Sequence, residues 1–152
     1  MPSFDTKNFG VIPYEPESIV EFPNGLPGFE ERRSFIAMQF PDSEPLIFLQ
    51  SVEDPALCFL TMPVLAIDSK YQLIVCDEDL ERIGLARGRQ PRIGDDVLCV
   101  VILSIRESGP TANLLAPVIV NLKNRLAVQA VAPDSNYSHQ HVLVVPEAPL
   151  CS

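Results

Sequence analysis

The 152-residue chain is short of the groups that catalysis usually requires. It has only two histidines, His139 and His141, and they lie within three residues of each other. With no Gly-x-Ser-x-Gly turn either, a serine or cysteine nucleophile would lack its base and orienting carboxylate, so a catalytic triad is not indicated. The four cysteines Cys58, Cys76, Cys99 and Cys151 form no Cys-x-x-Cys pair, which argues against a zinc knuckle or a redox motif. Cys58 and Cys99 sit in apolar runs and read as small buried hydrophobes, while Cys151 is the thiol most open to oxidation. No run approaches the roughly 20 apolar residues that cross a bilayer, and Met1 to Gly10 offers neither a basic start nor a hydrophobic signal core, so a cytoplasmic chain without membrane contact is expected.

Positive charge is scarce as well. Lys and Arg number 11 against 20 Asp and Glu, a net charge of -9, and residues 1 to 60 hold ten acids against three bases whereas residues 101 to 152 hold three of each. That sign disfavours direct nucleic-acid binding, where Lys and Arg displace phosphate counterions, and suits either plain solubility or a basic protein partner.

What the chain does have is apolar alternation and proline. Hydrophobic residues make up 47% and charged residues 20%, as in soluble globular chains. The length fits one domain over residues 1–145 with an extended or frayed tail over 146–152. Period-two patterns predict strands over 18–22, 34–40, 46–51, 57–62, 96–105, 117–122, 125–131 and 142–145, and residues 4–12 add another. The 15 prolines fall mostly at strand ends, consistent with short, blunted strands. Asn24-Gly25 and Lys123-Asn124 are turn signals, the second closing a tight hairpin. One segment differs: Asp77 to Gly84 has an N-cap Asp, acids in its first turn, Leu80 and Ile83 at i,i+3 and a closing glycine, which predicts a short helix. The expected fold is therefore all-β, a small antiparallel β-barrel or roll with one short helix near residues 77–84.

Three clusters invite a chemical reading. His139 and His141 at i,i+2 would share one face of a strand, a spacing compatible with metal ligation, but no third ligand has a recognisable spacing. Asp77, Glu78, Asp79 and Glu81 fit helix capping and lack the loop of an EF-hand. Gly84, Gly88 and Gly94 around Arg87 and Arg89 lack the Lys-Ser or Lys-Thr and the following helix of a phosphate loop, and read as a flexible basic loop. The neutral amides and hydroxyl Gln50, Ser51, Asn113, Asn121 and Gln129 lie in or beside apolar strands, where they either tie loops to the barrel or recognise a partner.

Four collinear blocks carry a family resemblance. They are Phe22-Pro23-Asn24-Gly25-Leu26-Pro27-Gly28-Phe29-Glu30, Leu49-Gln50-Ser51-Val52-Glu53-Asp54-Pro55, Thr111-Ala112-Asn113-Leu114-Leu115-Ala116-Pro117-Val118-Ile119-Val120-Asn121, and the run from Asn121 to Gln129 followed by Asp134-Ser135-Asn136-Tyr137-Ser138 and His141. In order and spacing the chain resembles the flagellar assembly factor family FliW over roughly residues 4 to 143. The resemblance implies a small barrel-like β fold, no cofactor and no metal. It also implies a non-enzymatic protein, monomeric when free, that binds flagellin in the cytoplasm and alternately binds CsrA, a small RNA-binding repressor of flagellin translation. Beside it, the uneven charge nominates acids of the first 60 residues for attracting CsrA, and the partner-binding candidates are Glu15, Glu17, Glu21, Gln50, Ser51, Glu53, Asp54, Asn113, Asn121, Gln129 and Tyr137. The chain departs from the family pattern at Met62, where an acid before proline is more usual, and at Gln140, where arginine is expected. The alternative is a metal-dependent or small-molecule enzyme on a β-barrel using His139 and His141.

Overall fold

The computed structural model describes residues 3–6, 9–14, 18–131 and 136–143. Val144 to Ser152, and with them the expected tail over 146–152, lie outside the described residues, as do Glu15 and Glu17. Strands β1 (Ser3–Thr6) and β2 (Gly10–Pro13) form a hairpin of their own. The Thr6 hydroxyl closes it by donating to Gly10 O at 2.8 Å and accepting from Phe9 N at 2.9 Å. Phe9 fastens it to the body by stacking on Phe40 and meeting Phe48 edge-on, with ring centroids 5.5 and 5.4 Å away. The sequence pattern over 4–12 thus resolves into two strands rather than one.

The main sheet comprises β3 (Ile19–Glu21), β4 (Ser34–Met38), β5 (Ile47–Ser51), β6 (Cys58–Pro63), β7 (Val97–Arg106), β8 (Gly109–Ala112), β9 (Val118–Asn121), β10 (Ala127–Gln129) and β11 (His141–Val142). Seven of these run β10-β9-β7-β6-β5-β4-β3, all antiparallel. Its first and last strands meet at a single parallel bridge between Glu21 and Leu126, where Glu21 N donates to Arg125 O at 3.0 Å. The architecture is a rolled sheet whose edges touch without a closing ladder. β7 is long enough to serve two partners on one edge. Val97 to Val100 pair with β9, and Leu103 to Arg106 pair with β8, which in turn carries β11. Pro110 sits inside β8, a strand that alternation alone did not reveal.

Alternation along β7 assigns its two faces to two cores. Val100, flanked by Leu98 and Ile102, packs inside the roll with Val20, Phe22, Phe35, Leu49 and Val118. Val97, Cys99 and Val101 face outward, where Val64, Tyr71, Val75, Leu80 and Ile83 cover them. Residues 64–96 therefore wrap the outside of the sheet, and a strand buried on both faces must be apolar throughout. Phe22 and Phe35 meet edge-to-face at 5.4 Å in the inner core, each fully buried.

The covering segment holds two short helices, α1 (Val64–Ile67) and α2 (Asp77–Arg82). The second is the expected helix and the first is an additional single turn. The N-cap of α2 is Cys76 rather than Asp77, and the Asp77 carboxylate instead accepts from Gly88 N at 2.9 Å. The C-terminus follows the sequence reading: Leu85 N donates to Leu80 O and Gly84 N to Glu81 O, a Schellman closure with Gly84 at φ +79°. The carbonyl of Ile83 is then captured by Asn121 Nδ2 at 2.7 Å and Asn124 Nδ2 at 3.1 Å, which ties α2 to the β9–β10 turn. That turn spans residues 122–125, wider than the predicted tight hairpin, with Arg125 rather than an asparagine in the left-handed region at φ 60°.

A Cβ on Gly84 would lie 2.8 Å from Asn124 Nδ2, on a backbone that L side chains rarely adopt. Gly84→Ala is accordingly expected to lower stability by about 1–3 kcal/mol. A urea midpoint equal to that of the parent protein would remove this junction from the account of how α2 is held.

Candidate functional site

The first candidate surface is a corner where the loops after β3 and β5 meet. Phe22 to Glu30 forms its frame. Gly25 N donates to Phe22 O at 2.9 Å, and Gly25 has φ +69° with the Glu30 backbone so close that a Cβ would lie 2.5 Å from Glu30 Cα. The chain here can turn only at glycine. Asn24, with its amide oriented to accept, takes a 3.0 Å bond from Arg82 Nε, and Arg82 also pairs with Asp79 at 2.8 Å.

Carboxylates gather around this frame. Ser34 holds two of them, its hydroxyl donating to Glu21 Oε1 at 2.7 Å and its N–H to Glu53 Oε1 at 2.9 Å, and Arg33 N adds a 2.8 Å bond to the same Glu53 oxygen. Those two backbone donors, Ser34 first, hold the Glu53 carboxyl below the ordinary glutamate range. Asp54 lies 3.7 Å from Arg32, which also reaches the exposed Glu31. A depression of about 440 Å³ runs between Gly28, Phe29, Glu30, Glu31, Arg32 and Asp54. Five acids, Glu21, Glu30, Glu31, Glu53 and Asp54, stand here against Arg32 and Arg33, with Arg82 at the frame paired to Asp79, so the corner carries net negative charge.

The neutral candidates have structural work instead. Gln50 is fully buried, and its Nε2 faces four carbonyl oxygens, Ser51 and Leu57 at 3.1 Å, Pro55 at 3.3 Å and Asp54 at 3.4 Å, so the 51–57 loop folds around one amide. Ser51 Oγ accepts from Glu53 N and Asp54 N in the same loop. Asn121 is buried at the Ile83 carbonyl, Asn113 Oδ1 accepts from Ala116 N, and Gln129 Nε2 donates to Ala116 O. Tyr137 stacks on Tyr71 at 4.3 Å, and its hydroxyl accepts from Gln72 N. Of the nominated residues that the structure describes, Glu21, Glu53 and Asp54 come together at the surface, and half-buried Gln129 lines a separate depression of about 230 Å³ with Asn24, Gly25, Glu30 and Arg82. Gln50 and Ser51 lie beneath the three acids as the loop's support.

The second surface was not legible in the sequence. A groove of about 560 Å³ opens where the outer core ends, between Leu46, Leu60 and Met62 on one side and Leu103, Ile105 and Val142 on the other. Ile105 is 72% exposed and Val142 66%. His141 lines it, but His139 lies in the preceding turn rather than on the strand, so the two do not share a strand face. Among the described residues no group of three His, Cys, Asp or Glu side chains is placed to hold a metal ion. Burial pushes the Cys99 thiol up to about 12, while Cys58 is only half-buried. The glycine-rich loop is tethered rather than free. Arg87 reaches Glu81 and Asp77, Gln90 brackets Val75 with bonds of 2.7 and 3.0 Å, and Arg92 N donates to Asp96.

A family model described as "FliW protein" matches residues 3–143. The chain belongs to the FliW family. It is 32% identical over 141 residues to the flagellar assembly factor FliW of Syntrophomonas wolfei, covering 90% of this chain and 85% of that one. It is 36% identical over 140 residues to the FliW of Geobacillus sp. strain WCH70, covering 91% and 92%. A crystal structure of the flagellar assembly factor FliW superposes with a TM-score of 0.80 at 33% identity, covering 97% of this chain and all of the other. The mainly antiparallel β fold thus agrees with that of a solved FliW, and the relatives carry the name of an assembly factor. Among the described residues no helix is long and apolar enough to cross a membrane.

Two expectations follow from the corner's chemistry. Gln50→Ala strips the shared donor from four loop carbonyls and leaves a cavity, so a loss of about 2–4 kcal/mol is expected in urea denaturation. A loss within experimental error would mean that the loop holds itself. Glu53 is held more acidic in the folded chain than in the unfolded one, so its stabilisation is complete above about pH 4.3 and fades as pH falls through the lowered folded value. Glu53→Gln should therefore flatten stability against pH on the acid side of that point. Parallel curves for the two proteins would show that Glu53 is not the group responsible.

Proposed function

We propose that this FliW-family chain acts as a single, non-enzymatic domain over residues 1–145 that binds newly made flagellin in the cytoplasm and antagonises the translational repressor CsrA by direct binding. The two partners occupy it alternately. While flagellin accumulates it holds the assembly factor; once flagellin is exported, the freed factor takes CsrA off the flagellin messenger and translation resumes. In this reading the protein is chaperone and regulator at once, touching neither nucleic acid nor membrane, needing no cofactor, and monomeric when free.

The observation that supports the CsrA half most directly is the convergence of Glu21, Glu53 and Asp54 with Glu30 and Glu31 on one corner. An acidic corner steers a basic RNA-binding protein by long-range attraction and discriminates against acidic competitors. Glu53 and Glu21 are hydrogen-bonded to β4, so their charges are fixed in place before a partner arrives. Fixed charge contributes more than mobile charge, because less conformational freedom is lost on binding.

The test is kinetic. Replacing Glu21, Glu31 and Asp54 together by lysine, while sparing the loop-supporting Glu53, should slow CsrA association by about tenfold at low salt and leave little of the parent's salt dependence. Stopped-flow traces that overlay those of the parent at every ionic strength would end the acidic-corner proposal, and a parent protein that captures neither CsrA nor flagellin would end the whole reading.

A further inference from the structure

We propose that the free edge of β10, where the rolled sheet fails to close, takes an extended and mostly uncharged segment of a basic protein partner, read through its main chain. The proposal rests on the preceding reading only in taking the partner of the acidic corner to be a basic protein.

The opening follows from register. Leu126 O accepts from Asn121 N and Ala130 N donates to Pro117 O, so residues 126, 128 and 130 turn their main-chain groups to β9 while Ala127 and Gln129 turn theirs away. On that side lies β3, the other edge of the roll, whose Glu21 N reaches Arg125 O. Continued by two residues, this parallel ladder would need an N–H at residue 23 for Ala127 O. Residue 23 is proline and has none. The chain turns instead, with Gly25 N donating to Phe22 O and Pro23 and Asn24 at the corner. Ala127 O and both main-chain groups of Gln129 are therefore left without a partner among the described residues. They face a depression of about 230 Å³ walled by Pro23, Asn24, Pro27, Glu30 and Arg82.

Unpaired main-chain groups on a sheet edge recognise another main chain, and the lining chemistry narrows its side chains. Arg82 is already bonded to Asp79 at 2.8 Å and Asn24 at 3.0 Å, and Glu30 accepts from Gly28 N at 3.2 Å, so an inserted charge of either sign meets its like as well as its opposite. The stretch that lies along β10 is therefore uncharged. Glu30 also lines the acidic depression, where it stands with Glu31 and Asp54 against Arg32 alone. A Lys or Arg that continues the stretch over Glu30 enters that depression, so main-chain pairing and the charge of the corner act on one continuous segment. A helix is the poorer occupant, because its main-chain groups are bonded internally and would leave the β10 edge unpaired.

The test uses the full chain and a labelled peptide, Arg-Val-Thr-Val-Thr-Arg, in two forms, one N-methylated at both valines and the other at both threonines. Alternate N–H groups of a strand point to opposite sides, so only one set can pair with β10. By fluorescence anisotropy, one form should bind like the unmodified peptide and the other about tenfold more weakly. Equal affinities of the two forms overturn the proposal, as does an unmodified peptide that does not bind. On the protein, Gln129→Pro removes the outward N–H and spares the ladder with β9, whereas Gln129→Ala removes only the side chain. The proline variant should reproduce the weakening and the alanine variant should not; equal losses would assign the effect to the side chain and overturn the main-chain reading. If Gln129→Pro does not fold, the two methylated peptides decide on the parent protein alone. A parent protein that dimerises and becomes monomeric on Gln129→Pro would make a second copy the occupant and overturns the proposal likewise. If CsrA associates with the salt dependence expected of the acidic corner while the two methylated forms bind alike, the proposed function stands and this inference falls. If neither CsrA nor flagellin binds while one methylated form alone is rejected, the proposed function falls and the β10 edge remains a main-chain acceptor.

Discussion

Burial of β7 on both faces is the constraint from which the rest of this structure follows. Val97, Cys99 and Val101 cannot be left in water any more than Leu98, Val100 and Ile102 can, so the sheet must both roll and be covered from outside. Rolling brings β3 and β10 together at Glu21 and Leu126, and covering recruits residues 64–96. The cover has to be anchored where its helix ends, and Asn121 does this by holding the Ile83 carbonyl from within β9. A buried amide is well suited to that task, because together with Asn124 it satisfies a helix-end carbonyl that has no partner within the helix. The cover is also shorter than β7. Where it stops at α1, the outer face of β7 and its extension through β8 and β11 becomes the groove.

The same constraint separates what alternation could reveal from what it could not. Ser34–Met38 and Ile47–Ser51 match the predicted strands with nearly correct bounds because their residues are apolar and β-prone, although neither strand has a wet face and every residue in them is buried or half-buried. The apolar run Val97 to Leu103 was also recognised as a strand, but nothing in it says that its two faces belong to different cores, since both look alike in sequence. β8 was missed because Pro110 weakens the strand signal, although Pro110 still accepts from Leu143 N through its carbonyl. The helix near 77–84 was legible from its acids and closing glycine, yet its N-cap was not. Asp77 was drawn away to the Gly88 amide eleven residues on, a contact that local rules cannot see.

The candidate site was legible in proportion to charge. Glu21, Glu53 and Asp54 are nominated for their sign and do meet, whereas Gln50 and Asn121, nominated beside them, are buried and bonded within the chain. Gln50 shows why. An amide at zero exposure amid four carbonyls cannot also face a partner, and its own Oε1 is buried without a hydrogen bond. The loop carrying Glu53 and Asp54 keeps its shape because Gln50 does not leave it. The exposed charged layer therefore lies over its buried support. The groove gives no such signal, since Ile105 reads as an ordinary strand residue until its pairing with Pro110 of β8 places it at a rim. The two departures from the family pattern fall at this same end of the molecule. Met62 lines the groove, and Gln140, with its amide oriented to accept, takes a 3.0 Å bond from Arg106 beside Ile105.

The acidic depression and the apolar groove have no lining residue in common, which constrains how the alternate occupancy proposed above would work. Two small ligands, one on each surface, would not collide. Exclusion between partners then requires either a partner large enough to extend from one surface over the other, or a change in the sheet between them. If it is the second, the coupling is reciprocal, so that whatever CsrA does to the affinity for flagellin, flagellin must do to the affinity for CsrA by the same factor. The elements that could carry such a change are β5 and β6. Asp54 lies in the loop that follows β5, and Leu60 and Met62 of β6 line the groove. Thr61 joins these two strands internally, donating its hydroxyl to Ile47 O at 2.7 Å from a fully buried position. A shift in the register or twist of this pair would move the acidic loop and the groove wall together, whereas a rigid pair leaves steric reach as the sole means of exclusion.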